Sequence, residues 1–287
     1  MNALVLSGGG SKGAYAVGAL QHLLIDLNRK YDILCGVSSG AVNVAFLSMF
    51  ANGKSSAQEL FKIWKNIKTS NIYKSWKPFG KLQSIINKSF YDSTPLQNLI
   101  KNNLDLTTIR NNNKIVNVGT VSLSSGKYTN FNQSSDHFIN AVIASASFPV
   151  MFQPIYFDNQ WWSDGGIKCI SPLHTAIDLG ATEIDLIITS PEKRIPKFIK
   201  TPNIIDILKR SLDLGTDKIM ENDLEKLHMN NLLAFNGFKK NIKLNLIRPK
   251  FNLIEDLLDF DSYKINKMID LGYNDAINII ECPKHQL

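Results

Sequence analysis

The chain has 287 residues, 44% of them hydrophobic, which is enough to bury a full core. It contains no apolar run near the ~20 residues of a membrane-spanning helix, and its start lacks the charged, apolar and small-residue zones of a signal peptide, so a cytoplasmic protein is expected. Three cysteines, Cys35, Cys169 and Cys282, are too few and scattered for a disulfide framework or a zinc site, and no metal or cofactor is expected.

In chain order, residues 3–7 read as a short apolar strand that runs into Gly8-Gly9-Gly10-Ser11-Lys12-Gly13 and then a helix over about 14–27. Two uses of this loop compete. Gly8, Gly10 and Gly13 match a dinucleotide-binding fingerprint with Asp32 as the ribose acid, but that acid should close the second strand, whereas Asp32 opens it. The other use is an oxyanion hole, in which glycines let backbone N–H groups converge at a helix N-terminus.

Residues 31–35 form a second buried strand, and residues 41–50 an apolar helix. Between them stands Gly36-Val37-Ser38-Ser39-Gly40. A hydroxyl displayed on so tight a strand-to-helix turn needs small residues on either side, which Gly36 and Gly40 supply. Ser38 is therefore the candidate nucleophile.

Residues 54–90 stand apart. Ser56 and Glu59 are spaced as a capping box for an amphipathic helix with Leu60, Trp64 and Ile67 on one face. Eight lysines against Glu59 alone fall between Lys54 and Lys88, so the whole net charge of +7 resides there. Tyr73, Trp76, Phe79 and Phe90 alternate with these lysines. Two readings are balanced, a solvated insertion and a basic, aromatic flap that touches an anionic membrane with Trp64 or Trp76 inserted. No nucleic-acid recognition motif accompanies the charge.

Further on, Thr94-Pro95 opens a helix to about 104, residues 115–123 and 127–131 form a hairpin, and residues 136–147 form a helix that stops before Pro149. A second hairpin, 155–157 with 161–162, delivers Asp164-Gly165-Gly166. A helix from 171 to 180, a strand at 184–189, a long helix over about 203–230, a strand at 242–247 and a helix over about 263–280 complete the chain. Strands alternate with helices, which predicts an α/β fold with a largely parallel sheet.

Four blocks thus stand in fixed order: residues 8–13, 36–40, Ala144-Ser145-Ala146-Ser147-Phe148-Pro149, and 164–166. Together they resemble the patatin-like phospholipase family, bacterial members above all, over about residues 3–190. The resemblance implies a three-layer α/β/α fold in one hydrolase domain spanning 1–287, with residues 54–90 as an insertion. It implies a serine acyl hydrolase acting on a lipid or other acyl ester through an acyl-enzyme, with Ser38 as nucleophile and Asp164 as base without a histidine. The loop of Gly8, Gly9, Gly10, Lys12 and Gly13 would supply the oxyanion hole. The alternatives are a Ser38-Asp164-His174 triad, against which stands the single strand ahead of the elbow, and a non-catalytic lipid- or dinucleotide-binding module. His22, His137, His228 and His285 read as ordinary surface or core residues.

Overall fold

The computed structural model describes residues 1–77, 87–193, 195, 204–235, 242–253 and 256–281. Lys81, Phe79, Cys282 and His285 lie outside them. Among the described residues eight strands form one sheet: β1 (Asn2–Leu6), β2 (Ile33–Val37), β3 (Ile115–Ser122), β4 (Tyr128–Asn132), β5 (Ile155–Phe157), β6 (Gln160–Asp164), β7 (Glu183–Ile187) and β8 (Lys243–Ile247). Their order is β5-β6-β3-β2-β1-β7-β8, with β4 also on β3. The five strands from β3 to β8 are parallel, and β4, β5 and β6 join antiparallel.

The helices are α1 (Gly13–Gln21), α2 (Ser39–Leu47), α3 (Gly53–Asn66), α4 (Thr69–Ile72), α5 (Thr94–Asn103), α6 (Leu106–Asn111), α7 (Phe138–Ser145), α8 (Leu173–Asp178), α9 (Ile204–Phe235) and α10 (Ser262–Glu281). Alternation along the strands separates two cores. Leu4, Leu6 and Leu34 face one side, beneath α1, α2, α3, α5, α7 and α10. Ala3, Val5, Ile33 and Cys35 face the other, with Leu173 and Ala176 of α8 and Met220 of α9. This is the expected α/β/α layering. Among the described residues no helix is long and apolar enough to cross a membrane.

One registry detail positions the site. Gly119 faces Val37 of β2 and Asn130 of β4, while Thr120 faces Asp164 of β6 and Thr129 of β4. A strand residue has only two edges, so β4 holds one edge of β3 throughout, and β2 and β6 share the other, running toward each other. Their C-terminal ends meet at consecutive positions of β3. That is how two segments more than a hundred residues apart in the chain deliver Ser38 and Asp164 to one place.

One local expectation changes, and one short helix is added. Ser56 and Glu59 do not form a capping box: α3 starts earlier, capped by Asn52, whose side chain accepts from the Lys54 N–H at 2.9 Å, and Ser56 donates within the helix to the Gly53 carbonyl at 2.7 Å. An asparagine cap satisfies the same orphan amides one turn upstream. The short helix α6, which shows no apolar period, is set by Asp105, whose carboxylate accepts from the Thr107 and Thr108 amides.

Candidate active site

Ser38 sits at the start of α2 with φ 57° and ψ −128°, a conformation uncommon for any residue with a side chain and a mark of strain at functional turns. The turn is held from both sides. The Ser38 N–H donates to Ser145 Oγ at 2.9 Å, and the Ser145 hydroxyl donates to the Gly119 carbonyl at 2.7 Å. The Ser38 carbonyl accepts from Ala41 and Val42 in the first turn of α2. The flanking glycines are required by space: a Cβ on Gly36 would lie 2.4 Å from the Gly40 carbonyl oxygen, and one on Gly40 would lie 2.4 Å from that of Leu6.

Asp164 closes β6 and is 1% exposed. Its Oδ1 accepts from the Gly166 N–H at 2.8 Å, and its Oδ2, also buried, has no hydrogen-bond partner of standard geometry. Burial pushes the carboxyl up to about 7, against the opposing pull of the neighbouring Ser38 side chain and the Gly166 amide. A carboxylate so raised is poised to exchange a proton near neutral pH.

The glycine loop is sorted by its hydrogen bonds. Gly8 N–H is taken by the Ile170 carbonyl at 3.0 Å, Lys12 N–H by the Gly9 carbonyl, and Gly13 N–H by the Gly10 and Ser11 carbonyls. Among the described residues, the amides of Gly9 and Gly10 have no hydrogen-bond partner. As amide donors, then, Gly8, Lys12 and Gly13 are already occupied by the fold, whereas Gly9 and Gly10 are open. Thr189, just past β7, fixes the loop: its hydroxyl donates to the Gly8 carbonyl at 2.7 Å, its N–H donates to Ser7 Oγ at 3.1 Å, and the Ser7 hydroxyl donates to the same Gly8 carbonyl. A peptide plane carries its C=O and the next N–H in opposite directions, so holding the Gly8 carbonyl toward Thr189 aims the Gly9 N–H away from it.

These groups line one cavity of about 780 Å³. Gly8, Gly9, Gly10, Lys12, Ser38, Asp164 and Thr189 border its polar end. An apolar arm leads away between α2, α3 and α5, with Phe46, Leu60, Ile63, Trp64, Leu96 and Ile100 in its wall. Gly13 does not reach the cavity; it packs α1 against Ser39 and Trp64. His174 is exposed on α8 and outside the lining, so the structure does not bring the three triad candidates together.

The inserted segment is also corrected in part. Trp64 is buried, donates its indole N–H to Asn43 Oδ1 at 2.9 Å and stacks on Phe260, so it is not available to enter a bilayer. Trp76 is half-buried and donates to the Ser89 carbonyl. Lys54, Lys62, Lys65, Lys68, Lys74, Lys77 and Lys88 are exposed, the last over the ring of Trp161 at 3.6 Å.

Sequence reasoning missed Thr189 and the role of Ser145. Ser145 stood in the third block without an assignment. Thr189 carried no local signal, because its function depends on β7 lying beside β1.

The patatin-like phospholipase family description matches residues 4–177, more than half of the chain, and the chain belongs to that family. Among proteins of similar sequence, the probable lipid hydrolase 463L of Invertebrate iridescent virus 6 is 26% identical over 247 residues, 79% of this chain and 84% of its own length. Human calcium-independent phospholipase A2-gamma is 25% identical over 197 residues, and the chain spans 24% of that protein's length. Of solved structures, VipD from Legionella pneumophila aligns with 98% of this chain and 66% of its own, at 13% identity and a TM-score of 0.46.

Proposed function

We propose that the protein is a lipid acyl hydrolase in which Ser38 and Asp164 form a catalytic dyad and the amides of Gly9 and Gly10 form the oxyanion hole. The observation that carries this reading is the meeting of a strained serine, a buried carboxyl raised to about 7 and two open amides at one end of a cavity whose other end is apolar. The family membership and the lipid-hydrolase names of its relatives support the same class of substrate.

In this mechanism the ester carbonyl enters at the polar end with its acyl chain in the apolar arm. Ser38 Oγ attacks the carbonyl carbon as its proton passes to Asp164. The oxygen that gains charge is met by the Gly9 and Gly10 N–H groups, the first already aimed by the Thr189 contact with the Gly8 carbonyl. Asp164 then gives its proton to the departing alcohol oxygen as the C–O bond breaks, leaving the acyl group on Ser38. Water repeats the sequence: Asp164 takes its proton, the hydroxide portion adds to the acyl carbonyl, and Ser38 leaves as the free hydroxyl. A base with a pKa near the working pH serves both directions of transfer. With His174 outside the cavity, no imidazole is assigned a step.

The lysines between Lys54 and Lys88 are proposed to hold the enzyme reversibly on anionic lipid. Their exposed charges support this, and each one that reaches the surface contributes on the order of 1 kcal/mol at moderate salt.

The test of the central reading is hydrolysis of a p-nitrophenyl acyl ester and of a phospholipid by wild type and Ser38→Ala. The expected result is activity in the former and only background in a folded Ser38→Ala. Full activity in Ser38→Ala would remove the nucleophile.

A further inference from the structure

The wall of the apolar arm contains a buried, unpartnered amide that does not fit an ordinary hydrocarbon chain. Asn43 is fully buried on α2 and belongs to the cavity wall, and its Nδ2 has no hydrogen-bond partner. The orientation of this amide is determined by chemistry. The indole N–H of Trp64 can only donate, and it donates to the other end of the amide, so that end is the oxygen and the NH₂ is the group left open. Trp64 is itself clamped on Phe260, so the amide is not free to turn.

The residues on the same side of α2 as Asn43 border the same cavity. Ser38, Ser39, Val42, Asn43 and Phe46 of the α2 region all line the cavity, and their spacing is that of a single helical face. Ser39, one turn before Asn43, also has a buried hydroxyl without a partner. The rest of the wall near Asn43 is hydrocarbon and aromatic: Phe46, Leu60, Ile63 and Trp64. A buried amide donor with no acceptor is a standing penalty that a bare hydrocarbon chain leaves unrelieved and an oxygen relieves.

We propose that Asn43 recognises an uncharged acceptor oxygen carried within the acyl chain, so that the enzyme favours oxygenated acyl groups, those with an oxo or hydroxyl group part-way along, over the plain chains of the same length. Asn43 lies five residues beyond Ser38, about 7.5 Å along a helix axis. That places the preferred oxygen roughly six bonds from the scissile carbonyl in an extended chain built of ~1.5 Å bonds. The inference rests on the assignment of Ser38 as nucleophile and of the apolar arm to the acyl chain. No bond is made or broken at Asn43; its contribution is a hydrogen bond that the correct chain completes.

The experiment uses two p-nitrophenyl esters of equal length, one saturated and one with an oxo group about six bonds from the carbonyl. The readout is the ratio of their kcat/KM values, so that a general loss of activity cancels. Wild type is expected to favour the oxo ester by about tenfold or more over the ratio seen in Asn43→Leu. Asn43→Ala, which removes the amide donor without adding bulk or charge, is expected to lose the preference too, and it carries the test if Asn43→Leu does not fold. Calorimetric binding of the two free acids to Ser38→Ala gives the same comparison without turnover. Equal ratios in wild type and both variants, together with equal binding of the two acids, would overturn the inference. Failure of wild type to cleave either ester, with the oxo acid still bound preferentially, would instead overturn the nucleophile assignment and leave Asn43 as the recognition point.

Discussion

The two ends of the cavity are built by different forces. At the polar end, the Gly9 and Gly10 amides, Ser38 and Asp164 sit on the ends of β1, β2 and β6 and are fixed by short hydrogen bonds through Thr189, Ser145 and Gly166. At the apolar end, α3 and α5 are held by side-chain packing of Leu60, Trp64, Leu96 and Ile100. Backbone hydrogen bonds fix direction as well as distance, whereas apolar packing tolerates changes of shape at similar volume. On the proposed reading, the polar end governs rate and the apolar end governs which chain is accepted.

The largest break in that comparison is Asp164→Asn. It is expected to lower kcat by about 10³-fold or more, because general-base catalysis alone supplies about 10²–10⁴. The same variant is expected to be more stable than wild type above pH 7. Burial raises this carboxyl from 3.8 to about 7, so between those values the folded chain keeps a proton that the unfolded chain has released. Stability is therefore lost as pH rises through this window, and the asparagine variant escapes the loss. The gap in unfolding free energy should grow to a few kcal/mol by pH 8 and vanish below about pH 4. Thermal unfolding across pH 3–9 reads both limits, and a constant gap would show that Asp164 does not titrate in that window.

Thr189→Val tests the polar end at one remove. It keeps the shape and removes the hydroxyl that holds the Gly8 carbonyl. A fall in kcat of roughly 10–100-fold with KM nearly unchanged is expected, short of the loss from removing an oxyanion donor outright. Thr189→Ser should restore most of the rate. If KM rises and kcat holds, Thr189 shapes binding and does not aim the Gly9 amide.

How much of this was readable in the sequence follows from the same contrast. The elbow was legible because its geometry admits few residue types: only glycine fits at positions 36 and 40. The glycine loop was legible as a loop, but which of its amides stay open depends on Ile170 and Thr189, which come from distant segments. The His174 alternative arose because chain order says nothing about distance. For α3 the amphipathic period was visible and its partner was not. Trp64 has the composition of a membrane anchor, yet it meets Asn43 and Phe260 and forms part of the cavity wall.

The smallest effect concerns the exposed lysines on α3 and in the segment that follows it. Changing Lys65, Lys68, Lys74 and Lys77 to Gln should weaken co-sedimentation with anionic vesicles at low salt by on the order of 1 kcal/mol per lysine in contact, with little change on zwitterionic vesicles. Hydrolysis of a soluble short-chain ester should be unaffected, since these lysines are exposed and outside the cavity lining. Equal binding by both proteins would leave the lysines as a solvated surface.

The most direct test of the dyad is labelling with a fluorophosphonate across pH, followed by peptide mass spectrometry. The account predicts one modified residue, Ser38, with a labelling rate that rises through a single ionisation near pH 7 in wild type as Asp164 becomes the carboxylate. Asp164→Asn should label slowly and without that ionisation. Labelling at another serine, or an unchanged pH profile in Asp164→Asn, would contradict it.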